Sequence, residues 1–160
     1  MIKTKLAILG AIATLAFATT PLYATPSIPA ECDQTLTYNV IQGTGGNDNL
    51  KGTSKSDLIF GNGGNDTIDG QSNNDCIVGG AGNDNIKDPS GNDVILGEGG
   101  SDTIDAGSGD DKVYGGAGND NIKAGSGTDF VDGQGGNDTV NGGSGFDTCV
   151  NVETASSCEF

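Results

Sequence analysis

A nine-residue period constrains this chain more than any other feature of its sequence. It runs from Gly43 to Val150 as twelve consecutive units, without an insertion or a deletion. The sixth place is Asp in every unit, the fourth is Gly in ten, and the eighth is aliphatic in all but the last, which has Cys149. Such regular self-similarity is typical of a solenoid, because a short repeat buries its apolar side chain only by stacking on its neighbours.

Each unit predicts a turn followed by a short strand. The first six residues are rich in Gly and Asn, which tolerate positive φ, and the last three, such as TID or NIK, point their middle side chain opposite to its neighbours. Two units make a coil of eighteen residues. We therefore predict an all-β fold, a parallel β-roll (a two-sheet right-handed β-solenoid) of about six coils with short terminal caps. A flexible Gly-rich linker is the alternative, but a linker has no reason to keep Asp and an aliphatic residue in phase.

Odd-numbered and even-numbered units differ, as expected if they belong to different sheets. The third place is Ser in every even unit, whereas odd units have Gly or Ala there. On the odd sheet the outward seventh and ninth places are polar, and they bring Lys beside Asp in successive coils. On the even sheet the outward side chains form what we call the apolar face: Leu58, Phe60, Cys76, Val78, Val94, Leu96, Tyr114, Phe130 and Val150. Such a patch indicates a partner or self-association surface unless the N-terminal segment covers it, and the sequence leaves both outcomes open.

The charge balance favours cations as partners. The 160 residues carry 22 acidic side chains against seven Lys, with no His and no Arg, for a net charge of −15. This balance disfavours nucleic acid and anionic membranes, whose binding requires clustered Lys or Arg. The length suits a single domain.

Residues 1–24 have the layout of a secretory signal peptide. Lys3 and Lys5 precede an apolar run, and cleavage is expected after Ala24 or, alternatively, after Ala18. An uncleaved anchor is the other interpretation, but the run is shorter than the roughly 20 residues that span a bilayer. We predict a secreted, extracellular protein, with the cell surface or periplasm as alternatives, and no membrane span in the mature chain. The predicted layout is a signal peptide (1–24), an N-terminal linker or cap (25–42), a β-roll (43–150) and a C-terminal cap (151–160).

The aspartates predict a metal-binding role. Stacked coils align like-charged Asp side chains along both edges of the roll, and the eighth-place side chains alone make a thin core. A hard cation between successive turns resolves both problems, because Gly-rich turns expose carbonyl oxygens beside the carboxylates. Calcium fits best, since it accepts about six to eight oxygen ligands in flexible geometry, and the lack of His argues against zinc or copper. The candidate ligands are Asp48, Asp57, Asp66, Asp75, Asp84, Asp93, Asp102, Asp111, Asp120, Asp129, Asp138 and Asp147.

The repeats resemble the RTX, or hemolysin-type, calcium-binding nonapeptide family, whose consensus is G-G-x-G-x-D-x-U-x. The segment GGAGNDNIK at residues 79–87 follows that consensus, and the resemblance covers residues 43–150. It implies a parallel β-roll in which each ion lies between turns one coil apart, held by Asp carboxylates and turn carbonyls. Six turns on each edge leave five gaps, hence ten sites. The candidate carbonyl ligands are those of Gly43, Gly45, Gly61, Gly63, Gly79, Ala81, Gly97, Gly99, Gly115, Ala117, Gly133 and Gly135.

The two edges are not expected to bind equally well. The odd turns keep the family pattern, whereas the even turns depart from it. We therefore predict five firm calcium sites on the odd edge and up to five weaker ones on the even edge. Lys55 is the most serious departure, because a residue with a Cβ at the fourth place is expected to be strained and its ammonium adds positive charge. The departing residues are Lys55, Asn73, Asp88, Pro89, Ala106 and Ala124.

The four Cys residues predict two disulfides, since disulfides persist in exported proteins. A bridge from Cys76 to Cys149 would span about four coils, on the order of 19 Å, which no disulfide reaches, so the pairing that contains it is excluded. Of the two pairings left, Cys32–Cys76 with Cys149–Cys158 needs the shorter reaches. Buried free thiols are the alternative. With this pairing the tail would close one end of the core, and the N-terminal segment would lie across Leu58.

We expect a calcium-binding structural or interaction module that is not an enzyme. The chain has no His and no Cys expected to be free, and no segment outside the repeats is long enough for a catalytic domain. In relatives that are enzymes or toxins, the roll accompanies a separate active domain. The alternatives are a cell-envelope adhesion protein, or a protein that binds polysaccharide or ice through a flat sheet face. The charged ladder on the odd sheet weakens the ice hypothesis.

Overall fold

The computed structural model describes residues 29–159, so the predicted signal peptide lies outside the described part of the chain. The described residues form fourteen β-strands in two parallel seven-stranded sheets, and they contain no apolar helix of membrane-spanning length. The even sheet contains, in spatial order, β1 (Asn39–Gln42), β3 (Asp57–Gly63), β5 (Cys76–Ala81), β7 (Val94–Gly99), β9 (Lys112–Ala117), β11 (Phe130–Gly135) and β13 (Thr148–Val150). The odd sheet contains β2 (Asn49–Lys51), β4 (Thr67–Asp69), β6 (Asn85–Lys87), β8 (Thr103–Asp105), β10 (Asn121–Gly127), β12 (Thr139–Gly145) and β14 (Thr154–Ser156).

Strand partners within the repeats are eighteen residues apart. Ile59 pairs with Ile77 on the even sheet, and Ile68 pairs with Ile86 on the odd sheet. This register confirms the predicted coil of two nonapeptides and the parallel β-roll. The flanking segments lengthen the roll, because β1 pairs with β3 and β14 pairs with β12. The roll therefore has about seven turns, one more than the twelve nonapeptides alone predict.

The core between the two sheets consists mainly of the eighth-place side chains. They are β-branched in most units, which suits the pleated strand, and each fully buried one stabilises the roll by about 1.5–3 kcal/mol. Ile41 and Leu50 pack on one end of this core, while Val152 and Cys158 pack on the other. The buried eighth-place residues are Ile59, Ile68, Ile77, Ile86, Ile95, Ile104, Val113, Ile122, Val131, Val140 and Cys149.

Both disulfides are present with the shorter-reach pairing. The Cα atoms of Cys32 and Cys76 are 5.9 Å apart, and those of Cys149 and Cys158 are 5.8 Å apart. The first bridge ties the N-terminal segment to the even sheet, and the second folds the tail back onto the last coil. Each end of the solenoid is thus closed covalently where a stack of repeats is otherwise exposed.

The N-terminal segment, residues 29–38, covers the first half of the apolar face. Cys32 and Tyr38 pack against it, and Leu58 and Phe60 are only 2% and 7% exposed. The later strands are less covered, and Val150 is 36% exposed. Of the two outcomes that the sequence left open, the structure shows coverage at one end and accessible apolar side chains at the other.

The outward face of the odd sheet is polar, as predicted. Lys51 lies 3.8 Å from Asp69, and Lys123 lies 3.2 Å from Asp105, in each case across neighbouring coils. Exposed ion pairs of this kind contribute at most about 1 kcal/mol each. These ion pairs therefore contribute little to the stability of the fold, and they make the outward face of the odd sheet charged.

Candidate metal centre

The sixth-place aspartates form one column along each edge of the roll. In each column the backbone N–H of an Asp donates to Oδ1 of the Asp one coil further on, at 2.8–3.0 Å. All of these aspartates are buried except Asp48, which is half-buried. The strict nine-residue period keeps each carboxylate next to the N–H of the Asp in the neighbouring coil, because an insertion would move the carboxylate away from that N–H. The odd column contains Asp48, Asp66, Asp84, Asp102, Asp120 and Asp138, and the even column contains Asp57, Asp75, Asp93, Asp111, Asp129 and Asp147.

A second ladder runs beside each column, from the fifth place of the turns. The backbone N–H of Asn83 donates to Oδ1 of Asn65 at 2.9 Å, and that of Asn92 donates to Oδ1 of Asn74 at 3.0 Å. The sequence analysis assigned no role to this place. Both ladders engage N–H groups of the turns, so those donors are not available to the second oxygen of each Asp.

Glutamates close both columns at their C-terminal ends. The N–H of Asp138 donates to Oε2 of Glu153 at 2.7 Å, and that of Asp147 donates to Oε2 of Glu159 at 2.6 Å. At the opposite end the side-chain amide of Asn39 donates to the first aspartate of the even column at 2.7 Å. Sequence reasoning missed these three residues. Asn39 lies in phase with the even column, eighteen residues before Asp57, but it is Asn and precedes the first unit that matches the repeat. The two glutamates do not keep the nine-residue period, and the only signal for them was that acidic residues follow the last repeat.

Ten of the twelve column aspartates have a buried Oδ2 atom with no hydrogen-bond partner among the described residues. The exceptions open the two columns, where Oδ2 of Asp48 accepts the N–H of Thr44 at 2.6 Å and Oδ2 of Asp57 accepts the N–H of Thr53. A buried acceptor without a donor costs at least about 1–3 kcal/mol. Each such oxygen therefore calls for a cation or a proton. They belong to Asp66, Asp75, Asp84, Asp93, Asp102, Asp111, Asp120, Asp129, Asp138 and Asp147.

On the odd edge these Oδ2 atoms adjoin the first-place glycine of their own turn. A Cβ atom built on Gly79 would lie 2.6 Å from Oδ2 of Asp84 and 2.9 Å from the carbonyl oxygen of Gly97, one coil further on. The same convergence recurs at Gly115, where a Cβ atom would lie 2.6 Å from Oδ2 of Asp120 and 2.8 Å from the carbonyl oxygen of Gly133. A carboxylate oxygen and a carbonyl oxygen from successive coils thus share a space that only glycine leaves free. The predicted first-place carbonyl residues on this edge are Gly43, Gly61, Gly79, Gly97, Gly115 and Gly133.

The predicted third-place carbonyls also hold the coils together. The carbonyl oxygens of Ala81 and Gly99 accept the N–H groups of Gly64 and Gly82 from the preceding coil, at 2.8 and 2.7 Å. A carbonyl oxygen has two lone pairs, so one remains for a cation. The residues at this place are Gly45, Gly63, Ala81, Gly99, Ala117 and Gly135.

The even edge differs at the first place of its turns. Ala106 and Ala124 are fully buried there, so each methyl group fills the kind of space that glycine leaves free on the odd edge. Asp88 occupies the same place in another turn and is also fully buried. The methyl groups of Ala106 and Ala124 therefore favour weaker cation binding at their own turns than at the glycine turns of the odd edge.

Lys55 is not strained, contrary to the expectation from the sequence. The fourth place has positive φ at Asn73 and at nine glycines, but not in the first turn of either edge, to which Lys55 belongs. In those two first turns a Thr at the second place donates to the aspartate instead. The Lys55 side chain is exposed, and its backbone does not adopt the left-handed conformation that would strain a residue with a Cβ.

Three carboxylates gather at one position on the even edge. One oxygen from each of Asp75, Asp88 and Asp93 lies within 4.8 Å of the others. Burial, followed by the charge of neighbouring carboxylates, raises the pKa of all three side chains. The sequence analysis treated Asp88 only as a departure from the family pattern, and the structure brings it into the column.

Burial also raises the pKa of five other column aspartates. Burial, with neighbouring carboxylates contributing less, raises the pKa of Asp102 to about 6 and that of Asp111 to about 7. The pKa values of Asp84, Asp120 and Asp129 are raised for the same main reason. Negative charge is therefore disfavoured along both columns unless a positive partner accompanies it.

The donor set fits a hard divalent cation. Every available ligand atom is a carboxylate or carbonyl oxygen, the chain has no His, and all four Cys form disulfides. Oxygen ligands in flexible turns suit calcium, whereas zinc and copper prefer nitrogen or sulfur. The orphaned Oδ2 atoms supply the anionic part of such a site.

The sequence profile of the RTX calcium-binding nonapeptide repeat matches the chain at residues 42–77, 51–86, 78–113, 90–122 and 114–149. No curated protein and no solved structure shows significant similarity to the chain. The β-roll and the repeats together are those of a calcium-binding repeat module. Since the matched segments jointly cover residues 42–149, well over half of the sequence, the chain belongs to the RTX calcium-binding nonapeptide repeat family.

Proposed function

We propose that this protein is an exported calcium-binding module whose β-roll folds when its aspartate columns bind several Ca²⁺ ions between successive turns. The observation that carries the proposal is the set of ten buried Oδ2 atoms without a hydrogen-bond partner. Unfolded chain exposes these carboxylates to water, whereas the roll buries them in two like-charged columns. Binding a cation in the folded state alone therefore shifts the equilibrium towards the roll.

The proposed ligands are the column aspartates together with first-place and third-place carbonyls of the turns. Five of the orphaned oxygens lie in each column, matching the five gaps between six turns on each edge. On the odd edge we assign five sites, at the gaps that glycine leaves free. On the even edge we assign up to five more, weakened at Ala106 and Ala124 by their methyl groups.

Calcium is proposed over magnesium because of the turn geometry. Backbone carbonyls and carboxylates from two coils present several oxygens whose positions vary with the turn sequence, and calcium tolerates such variation at about 2.3–2.6 Å. Magnesium requires a near-ideal octahedron and gives up its waters reluctantly. For extracellular calcium modules the expected dissociation constants are about 0.1–1 mM.

Export is proposed from two features of the chain. The two disulfides suggest an oxidising compartment. Residues 1–24 have the charged, apolar and small-residue order of a signal peptide. The proposed layout keeps residues 25–42 and 151–160 as caps on the roll of residues 43–150, and the pairing of β1 and β14 with the sheets supports their capping role.

We propose a structural or interaction role rather than catalysis. The part of the apolar face beyond the N-terminal segment includes Tyr114 and Phe130, whose ring centroids are 5.9 Å apart, and the accessible Val150. Amphipathic aromatic side chains grouped on a flat sheet are suited to contact a protein partner or a second copy of the chain.

The polar odd face supports a second candidate function, which is adhesion through polysaccharide binding. A shallow cavity of about 340 Å³ lies on this face, lined by residues that include Thr103, Asn121, Lys123 and Asn141. Amide, hydroxyl and ammonium groups in a flat row can hydrogen-bond to sugar hydroxyls. Co-sedimentation with insoluble polysaccharides tests this role, and thermal hysteresis tests the ice alternative. A protein that stays in the supernatant and shows no thermal hysteresis would refute both polysaccharide binding and ice binding.

A calcium titration followed by far-UV circular dichroism tests the main proposal. The oxidised protein should pass from coil to β-structure as calcium is added to a chelator-treated sample, whereas equal magnesium should produce little change. Asp105→Asn is the control, because it removes a negative charge from the outward face of the odd sheet, outside both aspartate columns, and should leave the calcium midpoint nearly unchanged. A spectrum that is already β-rich in chelator and unmoved by calcium would overturn calcium-dependent folding.

A further inference from the structure

Asp88 breaks the pattern of the first place by burying a third carboxyl group that requires a cation or a proton. The other eleven units have Gly or Ala at this place, and Asp88 is the one charged residue among them. It is 0% exposed, and neither of its carboxylate oxygens has a hydrogen-bond partner among residues 29–159. Its nearest acidic neighbours are Asp75 and Asp93, which accept hydrogen bonds as carboxylates and cannot donate them.

The preceding coil is shaped to receive this side chain. A Cβ atom on Gly70 would collide with the carboxylate of Asp88, reaching 2.6 Å from its Cγ, and would stand 3.0 Å from Oδ2 of Asp75. Glycine at position 70 therefore leaves the space into which the Asp88 carboxylate points. The three carboxylates converge there, with one oxygen from each within 4.8 Å of the others.

Pro89 removes the alternative donor in the same turn. In nine of the twelve turns the second place has positive φ, and the exceptions are Thr44, Thr53 and Pro89. The two threonines donate their N–H groups to Oδ2 of the aspartate in their turn. Proline has no N–H and cannot adopt positive φ. The 88–93 turn thus lacks positive φ at its second place, as the two threonine turns do, but it also lacks their donor, which leaves Oδ2 of Asp93 without a partner.

We propose that Asp75, Asp88 and Asp93 form a three-carboxylate site for a hard cation, and that this site fills before the other inter-coil sites. The proposal rests on the proposed function, since it ranks one site within a calcium-binding roll. Other gaps are served by two column aspartates, whereas this one has three buried carboxylates. Calcium affinity rises with the number of anionic ligands, so the additional carboxylate makes this gap the strongest.

A mainly acidic cavity adjoins two of the three carboxylates. Its volume is about 430 Å³, and its lining includes Asp75, Asp93, Asp110, the single cationic residue Lys112, and Glu31, Asp33 and Tyr38 of the N-terminal segment. The excess of acidic residues draws cations towards this part of the even edge. Because Tyr38 lines the same cavity as Asp75 and Asp93, its ring can serve to sensitise the luminescence of a bound terbium ion.

Native mass spectrometry at one equivalent of Ca²⁺ tests the order of filling. The oxidised wild-type protein should give a dominant one-ion species, and Asp88→Asn should weaken that first step about 10- to 100-fold, as expected for a lost ligand. Asp88→Gly restores the residue found at this place in most units and should behave in the same way. Gly70→Ala keeps every charge but displaces the Asp88 carboxylate, and should also lose the first step. Glu98→Gln removes one exposed charge on the opposite edge and should match the wild type.

Terbium luminescence excited through tyrosine provides the second readout. The first equivalent of Tb³⁺ should give a signal in the wild type that Asp88→Asn and Tyr38→Phe both reduce strongly. Circular dichroism at saturating calcium should show the same β-content in all variants. If Asp88→Asn and Asp88→Gly take up their first ion as the wild type does, the three-carboxylate site is refuted while calcium binding stands. If the wild type binds no calcium in native mass spectrometry and no terbium in the luminescence experiment, the proposed function itself fails.

Discussion

Replacing Asp102 with Asn should change stability in opposite directions with and without calcium. Asp102 is 2% exposed, its Oδ1 accepts the N–H of Asp84 at 2.8 Å, and its own N–H donates to Asp120 at 2.8 Å. Its Oδ2 has no partner. Asparagine keeps the shape, the Oδ1 acceptor and the backbone bonds, but it removes the negative charge and replaces Oδ2 with an NH2 group that cannot bind a cation. The substitution therefore separates the role of the charge from the role of the hydrogen-bond ladder.

The expected magnitude follows from these contacts. With calcium, loss of one anionic ligand weakens binding at that gap by about 10- to 100-fold, or about 1.4–2.7 kcal/mol of folding free energy at saturation. For a roll of this size, that corresponds to a fall in Tm of about 5–10 °C. Without calcium, the variant removes a carboxyl group whose pKa burial raises to about 6, so Tm at pH 5, where the calcium-free roll should still keep β-structure, should stay equal or rise.

Thermal denaturation followed by circular dichroism, in saturating calcium at pH 7.5 and in chelator at pH 5, measures both effects. Asp105→Asn is the matched control, because it removes the same charge from an exposed ion pair with Lys123 and should change stability by less than about 1 kcal/mol in either condition. If Asp102→Asn lowers Tm equally with and without calcium, the side chain is only structural. That result would refute the argument from the orphaned oxygens.

Three further predictions follow from the same columns. In chelator the roll should lose β-structure as pH rises from about 4 to about 7, because the raised pKa values of Asp102 and Asp111 make the folded state bind more protons than the unfolded state in that window; a pH titration by circular dichroism that shows a gain instead would contradict this. Glu153→Ala should lower Tm by several degrees, since it leaves the buried N–H of Asp138 without its acceptor and costs about 1–3 kcal/mol, whereas Glu153→Gln should lose less. Ala106→Gly should open a space on the even edge and increase the number of calcium ions counted by native mass spectrometry at intermediate calcium, and an unchanged count would mean that the methyl group is no obstacle.

The regular part of this protein was predictable from its repeats. The spacing of Ile59 and Ile77 defines the coil, and the difference between odd and even units assigns each strand to its sheet. The coil geometry excluded a bridge from Cys76 to Cys149, and the pairing of Cys32 with Cys76 was then preferred for its shorter reach, which the structure confirms. A strict period reduces the fold to one repeating step, and for that reason local sequence was sufficient.

The irregular positions were not predictable in the same way. The sequence analysis treated Asp88 as a departure from the family pattern that weakens binding, yet its carboxylate occupies the space that Gly70 leaves free. Lys55 was expected to be strained, but the first turn of each edge has no preceding nonapeptide turn to stack on and adopts another backbone conformation. Glu153 and Glu159 fell outside the period, and only the path of the tail brings them to the column ends.

The sequence by itself determined the β-roll, its eighteen-residue coil, its buried aliphatic columns and the two rows of aspartates, because each of these depends on the phase of a repeat. Tertiary structure alone decided which residues end the aspartate columns, how far residues 29–38 cover the apolar face, and which carboxylate oxygens lack a partner. Those properties depend on contacts between coils and flanking segments that lie outside the period. A carboxylate becomes a strong cation ligand only when the surrounding coils bury it and supply no competing donor.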